Sequence, residues 1–138
     1  VKFLGYIFLL FCVKASFAQT PEAIAPKDEV YTIVDYMPKF PGGISEMVKY
    51  IQKEIKYPKE ARKKKWEGKT FIKFIVSDSG NVTNVIVTKS SSYTILDDEA
   101  VRVIRMMPKW NPGVQNDRNV SVYYNIPLNF SMKKKKKA

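Results

Sequence analysis

The chain has 138 residues, 45% of them hydrophobic, with 24 basic and 13 acidic side chains, no histidine and a single cysteine. The missing histidine excludes the commonest general base, every histidine-containing triad and most zinc sites. Cys12 lies in the apolar segment near the N-terminus, so the remainder carries no disulfide, thiolate nucleophile or cysteine metal ligand, and the chain is read as a non-enzyme needing no cofactor.

The formal charge is +11. Setting aside Lys2, Lys14 and the Lys133–Lys137 run removes seven of the 24 basic residues; against 13 acidic ones this leaves +4. That excess is too mild for a nucleic-acid footprint. The terminal lysines, within 133–138, are expected to be a solvated basic tail whose membrane contact is at most peripheral.

Residues 1–18 read as a cleaved secretory signal. Lys2 precedes FLGYIFLLFCV, shorter than the roughly 20 apolar residues a spanning helix needs, and Ser16 and Ala18 are small enough for cleavage between Ala18 and Gln19. A retained inner-membrane anchor is the alternative. Lipid attachment at Cys12 is disfavoured by the bulk of Phe11. Residues 19–29, polar and carrying two prolines, form a linker.

Val30–Val34 is β-branched and aromatic, an expected strand. Met37-Pro38-Lys39-Phe40-Pro41-Gly42-Gly43 is too rich in Pro and Gly for regular structure. A helix then places Ile44, Met47, Val48, Ile51 and Ile55 on one apolar stripe, with Ser45 and Glu46 at its start, and stops at Tyr57-Pro58. A short helix follows, with Pro58 suited to its first position.

Beyond Gly68 the period changes to two. Thr70, Ile72, Phe74 and Val76 share one face of a strand; Lys69, Phe71, Lys73 and Ile75 share the other. Asp78-Ser79-Gly80-Asn81 is the turn of a hairpin, with Gly80 at positive φ, and Val82, Val85, Ile86 and Val87 are the apolar residues of its second strand.

Thr94 and Asp97 have capping-box spacing at the head of a further helix. Leu96, Ala100, Val103 and Met107 line its apolar face, Arg102 and Arg105 point to solvent, and Pro108 ends it. The acidic Asp97-Asp98-Glu99 run reads as an ordinary first helical turn rather than a cation site. Lys109–Gly113 is a turn and Val114–Asn119 a polar loop.

The last strand alternates most regularly. Val120, Val122, Tyr124, Ile126, Leu128 and Phe130 take one face; Ser121, Tyr123, Asn125 and Asn129 take the other. Pro127 donates no ladder hydrogen bond, which argues for an edge strand with its nitrogen outward. The outward N–H and C=O groups of such a strand are free to pair with another chain.

Together, Tyr57-Pro58 with Ala61 and Arg62, Glu67-Gly68, Asp78-x-Gly80, Leu96-Asp97 with Glu99-Ala100, Pro108-x-Trp110-x-Pro112-Gly113 and Ile126-Pro127-Leu128-Asn129-Phe130 resemble the C-terminal domain of the TonB family. The Met37–Gly43 segment and its helix resemble the version found in Bacteroidetes-type chains. The resemblance covers residues 31 to 131; each motif is weak alone, and their order and spacing carry the specificity.

It implies an α+β domain over 30–132: a small antiparallel sheet of three core strands, with an additional N-terminal strand if Val30–Val34 joins, packed against two to three helices. It also implies a periplasmic protein that grips the TonB box of an outer-membrane transporter by strand addition, supporting energy-dependent transport. The residues so implicated are Ser121, Tyr123, Asn125, Pro127 and Asn129 on the edge, and Lys56, Tyr57 and Pro58 in a loop lying near the transporter plug. No catalytic residue is implied. The linker over 19–29 spans at most about 40 Å, and with a cleaved signal the expectation is a stand-alone domain. A structural or interaction protein, homodimeric or binding other peptides through the same edge without energy transduction, is the alternative.

Trp66, Trp110 and Tyr124 are expected to cover the sheet and helix ends, while Tyr123, on the polar face, is equally suited to partner contact. Lys63-Lys64-Lys65 reads as a solvated helix end.

Overall fold

The computed structural model describes residues 29–132. The expected signal segment, nearly all of the linker and the lysine run lie outside the described residues. The elements in chain order are β1 (Val30–Tyr31), α1 (Ile44–Glu54), α2 (Lys59–Lys63), β2 (Gly68–Val76), β3 (Val82–Lys89), α3 (Thr94–Arg105), β4 (Gly113–Gln115) and β5 (Arg118–Phe130).

The period-two segments form the sheet, in the order β1-β5-β2-β3, with β4 paired to β5. Strand β2 is central, antiparallel to β3 on one side and to β5 on the other, where Gly68 faces Phe130 and Val76 faces Val122. One register therefore puts Thr70, Ile72, Phe74 and Val76 on the same face as Val122, Tyr124, Ile126, Leu128 and Phe130. All of these are buried except Tyr124, which is half-buried. The hairpin turn forms as its residues dictate: Gly80 sits at φ 86°, and its N–H donates to the Ser77 carbonyl at 2.8 Å. A second constraint holds Gly80, since a Cβ there would lie 2.1 Å from the Trp110 carbonyl oxygen.

Helix α3 adds Leu96, Ala100 and Ile104 to the core over the apolar sheet face, with Met107 just beyond its end, and its Val103 is buried as well. An aromatic cluster continues the core: Trp110 meets Phe74, Phe40 and Tyr124 edge-on at centroid distances of 5.6, 5.7 and 4.9 Å. Trp110 is buried, and Trp66 stacks on Tyr93 at 4.6 Å. The expected covering role of these aromatics is met.

Several expectations are corrected. The N-terminal strand covers only Val30–Tyr31 and runs parallel to β5; the chain leaves the sheet there because Asp35 and Tyr36 bond instead to the β4 hairpin, Asp35 N–H to Gln115 Oε1 at 2.9 Å and Tyr36 N–H to the Val114 carbonyl at 3.0 Å. The stretch Val114–Asn119 is a hairpin rather than a loop, closed by Asn116 and Asp117, both at positive φ, as a two-residue turn requires. In α1 the buried side is Met47 with half-buried Tyr50, Ile51 and Ile55, while Ile44 is 69% and Val48 43% exposed. The helix is turned toward Tyr50 because its hydroxyl donates to the Val103 carbonyl at 3.2 Å and its ring packs on Phe40. Pro58 stands one residue ahead of α2, its carbonyl accepting from Arg62 N–H.

Thr94 caps nothing, and the capping box is absent. Tyr93 holds the N-cap position, and Asp97 turns into the protein to accept from Thr70 Oγ1 at 2.7 Å, Ser91 N–H at 2.9 Å and the Ser90 hydroxyl. The buried Thr70 hydroxyl needs an acceptor on the core face, and Asp97 supplies it. Arg102 is not a solvent side chain either. It pairs with Glu99 at 2.6 Å and donates to the Glu54 carbonyl at 2.9 Å, satisfying a carbonyl that the end of α1 leaves without an intrahelical partner.

Candidate functional site

The candidate site is the outer margin of β5, and its geometry follows from strand alternation. On β2 the Phe71 and Ile75 carbonyls accept from the Thr88 and Thr83 hydroxyls of β3, so the odd-numbered residues of β2 direct their backbone groups toward β3. Phe71 faces Pro127 and Ile75 faces Tyr123 in the antiparallel ladder. These are therefore the pairs that exchange no hydrogen bonds, and Tyr123, Asn125, Pro127 and Asn129 turn their backbone groups away from β2. Pro127 fits this parity, because the N–H it lacks would have pointed outward.

Strand β1 covers that margin only at its start, pairing Val30 with Ser121 and Tyr31 with Val122. Ser121 is thus occupied, and its Oγ also accepts from Asp78 N–H at 3.2 Å. From Tyr123 to Asn129 no described strand lies on the outer side. Asn125, Pro127 and Asn129 are exposed and Tyr123 half-buried, with Lys73 Nζ 4.1 Å above the Tyr123 ring.

The second group, Lys56, Tyr57 and Pro58, reaches the far end of the same strand. The Tyr57 ring meets Phe130 edge-on at 6.0 Å, and its hydroxyl donates to the Trp66 carbonyl. Burial, with the nearby Glu67 charge, pushes the Tyr57 hydroxyl pKa upward, so it remains a donor at neutral pH. Lys56 N–H donates to Glu99 Oε1 at 2.8 Å. The loop is held by these bonds, and its tyrosine touches β5.

Two members of the acidic run, Asp97 and Glu99, are already engaged, while Asp98 is exposed. Burial opposes ionisation of Asp97, but its hydrogen bonds from Ser90, Ser91 and Thr70 outweigh it and hold the carboxyl below its usual value. At Glu99 burial is likewise outweighed, here by the Arg102 guanidinium and the Lys56 backbone N–H. Among the described residues no group of three or more His, Cys, Asp or Glu side chains is placed to hold a metal ion. What this margin can do chemically is form hydrogen bonds along an extended chain.

Sequence reading missed an apolar hollow of about 470 Å³ beside β5, lined by Met37, Pro38, Phe40, Ile44, Met47 and Tyr124 among others. The signal was present in the crowding of large apolar residues around Pro41-Gly42-Gly43, but it was absorbed into a loop and a core stripe.

A helix-backed sheet with part of the β5 margin uncovered defines an α+β class of domain, and free backbone groups on such a margin are of the kind an extended chain can pair with. The family model described as Gram-negative bacterial TonB protein C-terminal matches residues 53–132. Two relatives from Helicobacter pylori strains, both called Protein TonB, are 30% identical over 97 residues, covering 67% of this chain and 33% of their own length. The chain thus spans about a third of those relatives. Among solved structures, the solution structure of the Helicobacter pylori TonB C-terminal domain is 28% identical with a TM-score of 0.48, covering 68% of this chain and 88% of that one. The Pseudomonas aeruginosa TonB C-terminal domain is 20% identical with a TM-score of 0.49, covering 59% and 81%. This chain belongs to the TonB C-terminal domain family.

Proposed function

We propose that the domain works in the periplasm, binding the TonB box of an outer-membrane transporter as a strand added to β5 between Tyr123 and Asn129, and that it supports energy-dependent transport without itself catalysing a reaction. The observation that carries this reading is the run of outward backbone groups at Tyr123, Asn125 and Asn129 with no strand beside them among the described residues. Main-chain hydrogen bonds give such a complex its affinity, while side chains tune it. The contact of Tyr57 with Phe130 supports a reading in which the Lys56–Pro58 loop flanks one end of the added strand and would meet the transporter beyond the peptide.

The test is calorimetry with a synthetic TonB-box peptide from a transporter of the same cell. Asn125→Pro removes one outward N–H and leaves the ladder to β2 intact, so the variant should stay folded and lose peptide binding. Tyr124→Pro removes an inward donor and should unfold the sheet. Unchanged affinity in folded Asn125→Pro would overturn strand addition and transfer the interaction to the Tyr57 loop. Export is tested separately: the periplasmic protein should begin at Gln19, whereas recovery of Lys2 in the membrane fraction would establish an anchored form.

A further inference from the structure

Strand addition leaves open which peptides are accepted, and the surroundings of β5 bear on that. A strand laid beside β5 presents alternate side chains to the two faces of the sheet, about 4.8 Å from β5 itself. On the core face its neighbour is Tyr124, and beyond Tyr124 lies the apolar hollow built by Met37, Pro38, Phe40, Ile44 and Met47. Ile44 and Met37 are 69% and 40% exposed, so the hollow holds apolar surface that an incoming side chain would remove from water. Met37 and Tyr124 also line the recess formed with Thr32, Lys73, Tyr123 and Asn125, so the two adjoin at the margin of the strand.

The outer face has the opposite character. Its positions on β2 and β5 are Lys69, Phe71, Lys73 and Ile75 and then Ser121, Tyr123, Asn125, Pro127 and Asn129, with Lys89 beside Phe71 on β3. Three of these are lysines and none is acidic. Lys73 leans across from β2 until its Nζ lies over the Tyr123 ring. The cation therefore stands above β5, about one strand spacing from an added chain, and no carboxylate pairs with it among the described residues.

We infer that the domain reads a two-sided pattern in its extended partner: a large aliphatic residue seated against Tyr124 in the Met37–Met47 hollow, with acidic residues on either side of it facing Lys73. This inference rests on strand addition to β5. Its apolar half depends on residues outside the matched family segment, since every residue named as lining the hollow except Tyr124 precedes position 53. Two other occupants fit less well. The Lys133–Lys137 run has the wrong charge for the outer face. A second copy offering its own β5 brings no acidic residue between Tyr123 and Phe130.

The experiment titrates the protein with three end-blocked synthetic octapeptides: Ser-Glu-Ile-Glu-Val-Glu-Ile-Ser, the same peptide with lysine for each glutamate, and the same peptide with serine for each aliphatic residue. The glutamate–aliphatic peptide should bind, the serine peptide at least about tenfold more weakly, and the lysine peptide not detectably. Ile44→Glu, at an exposed position, should weaken the first peptide at least about tenfold while circular dichroism stays unchanged, and Lys73→Glu should shift the preference toward the lysine peptide. If all three peptides bind alike and Asn125→Pro abolishes all three, the pattern is overturned and strand addition stands. If none binds while the TonB-box peptide still does, the pattern is overturned and strand addition stands; if binding survives Asn125→Pro, strand addition falls and the pattern with it. A dimer in sedimentation that Asn125→Pro disperses would give the edge to a second copy and overturn the inference as well.

Discussion

At the level of single residues, the fold turns on a few side chains whose neighbours leave them no alternative. Phe74 is fully buried at the centre of β2, edge-on to Trp110 and tilted against Tyr124. Phe74→Ala should cost about 3–5 kcal/mol, the range for a buried phenylalanine; a loss below about 1 kcal/mol in urea denaturation would contradict the register described. Asp97 is the polar counterpart. Because its folded pKa is depressed, its contribution is complete above the ordinary value of 3.8 and is lost as pH falls below that toward the folded value. Asp97→Ala should cost about 1.5–3 kcal/mol at neutral pH, the range for hydrogen bonds to a charged group. In melts between pH 6 and pH 3, Asp97→Asn should show a shallower acid loss than the parent. Glu99, where burial is outweighed by Arg102 and the Lys56 N–H, adds to the slope in the same direction.

At the level of elements, the β2–β3 hairpin and the segment before β4 hold each other. Trp110 N–H donates to the Gly80 carbonyl at 2.8 Å, so the hairpin turn and the chain after α3 share one backbone contact. Gly80→Ala places a methyl group against the Trp110 carbonyl at a positive φ. It should cost more than about 1–2 kcal/mol, beyond the left-handed penalty alone, and thermal melts with tryptophan fluorescence would register both the loss and the displacement of Trp110. A melting temperature equal to the parent's would mean that the turn can relax away from Trp110. Strand β5 combines two functions for an equally local reason: its even residues hold β2 and the core, while its odd residues turn outward, so the margin can be altered without dismantling the sheet.

At the level of the whole domain, residues ahead of the matched family segment complete the core. Phe40 and Met47 are buried, and Phe40 packs on Trp110. A fragment of residues 53–132 should lose about 3–6 kcal/mol, at about 1.5–3 kcal/mol for each of these two side chains. Against a typical total of 5–15 kcal/mol this is a large share, and the fragment should bind a hydrophobic dye that the longer chain does not. Equal stability of the two would show that the Met37–Met47 region adds a hollow and no core. Among the described residues no helix is long and apolar enough to cross a membrane.

Sequence alone determined what depends on local period and local chemistry. The alternation in β2 and β5 named both faces of the sheet correctly, since a strand's side chains alternate whatever lies beside it. Gly80 marked its turn, and Pro127 marked the outward nitrogen, because each lacks a group that the other backbone choices need. Tertiary structure decided what depends on distant partners. Asp97 looked like part of a helix cap until Thr70, 27 residues away in the chain, claimed its carboxylate. Arg102 looked solvated until the end of α1 offered an unpaired carbonyl. The stretch after Val114 looked like a loop because three residues are too few for a periodic signal, and it became strand β4 only when Tyr36 and Asn119 came to lie on either side. The hollow beside Tyr124 was invisible for the same reason: a concave surface belongs to the relation between Met37, Ile44 and β5, and no single stretch of sequence contains that relation.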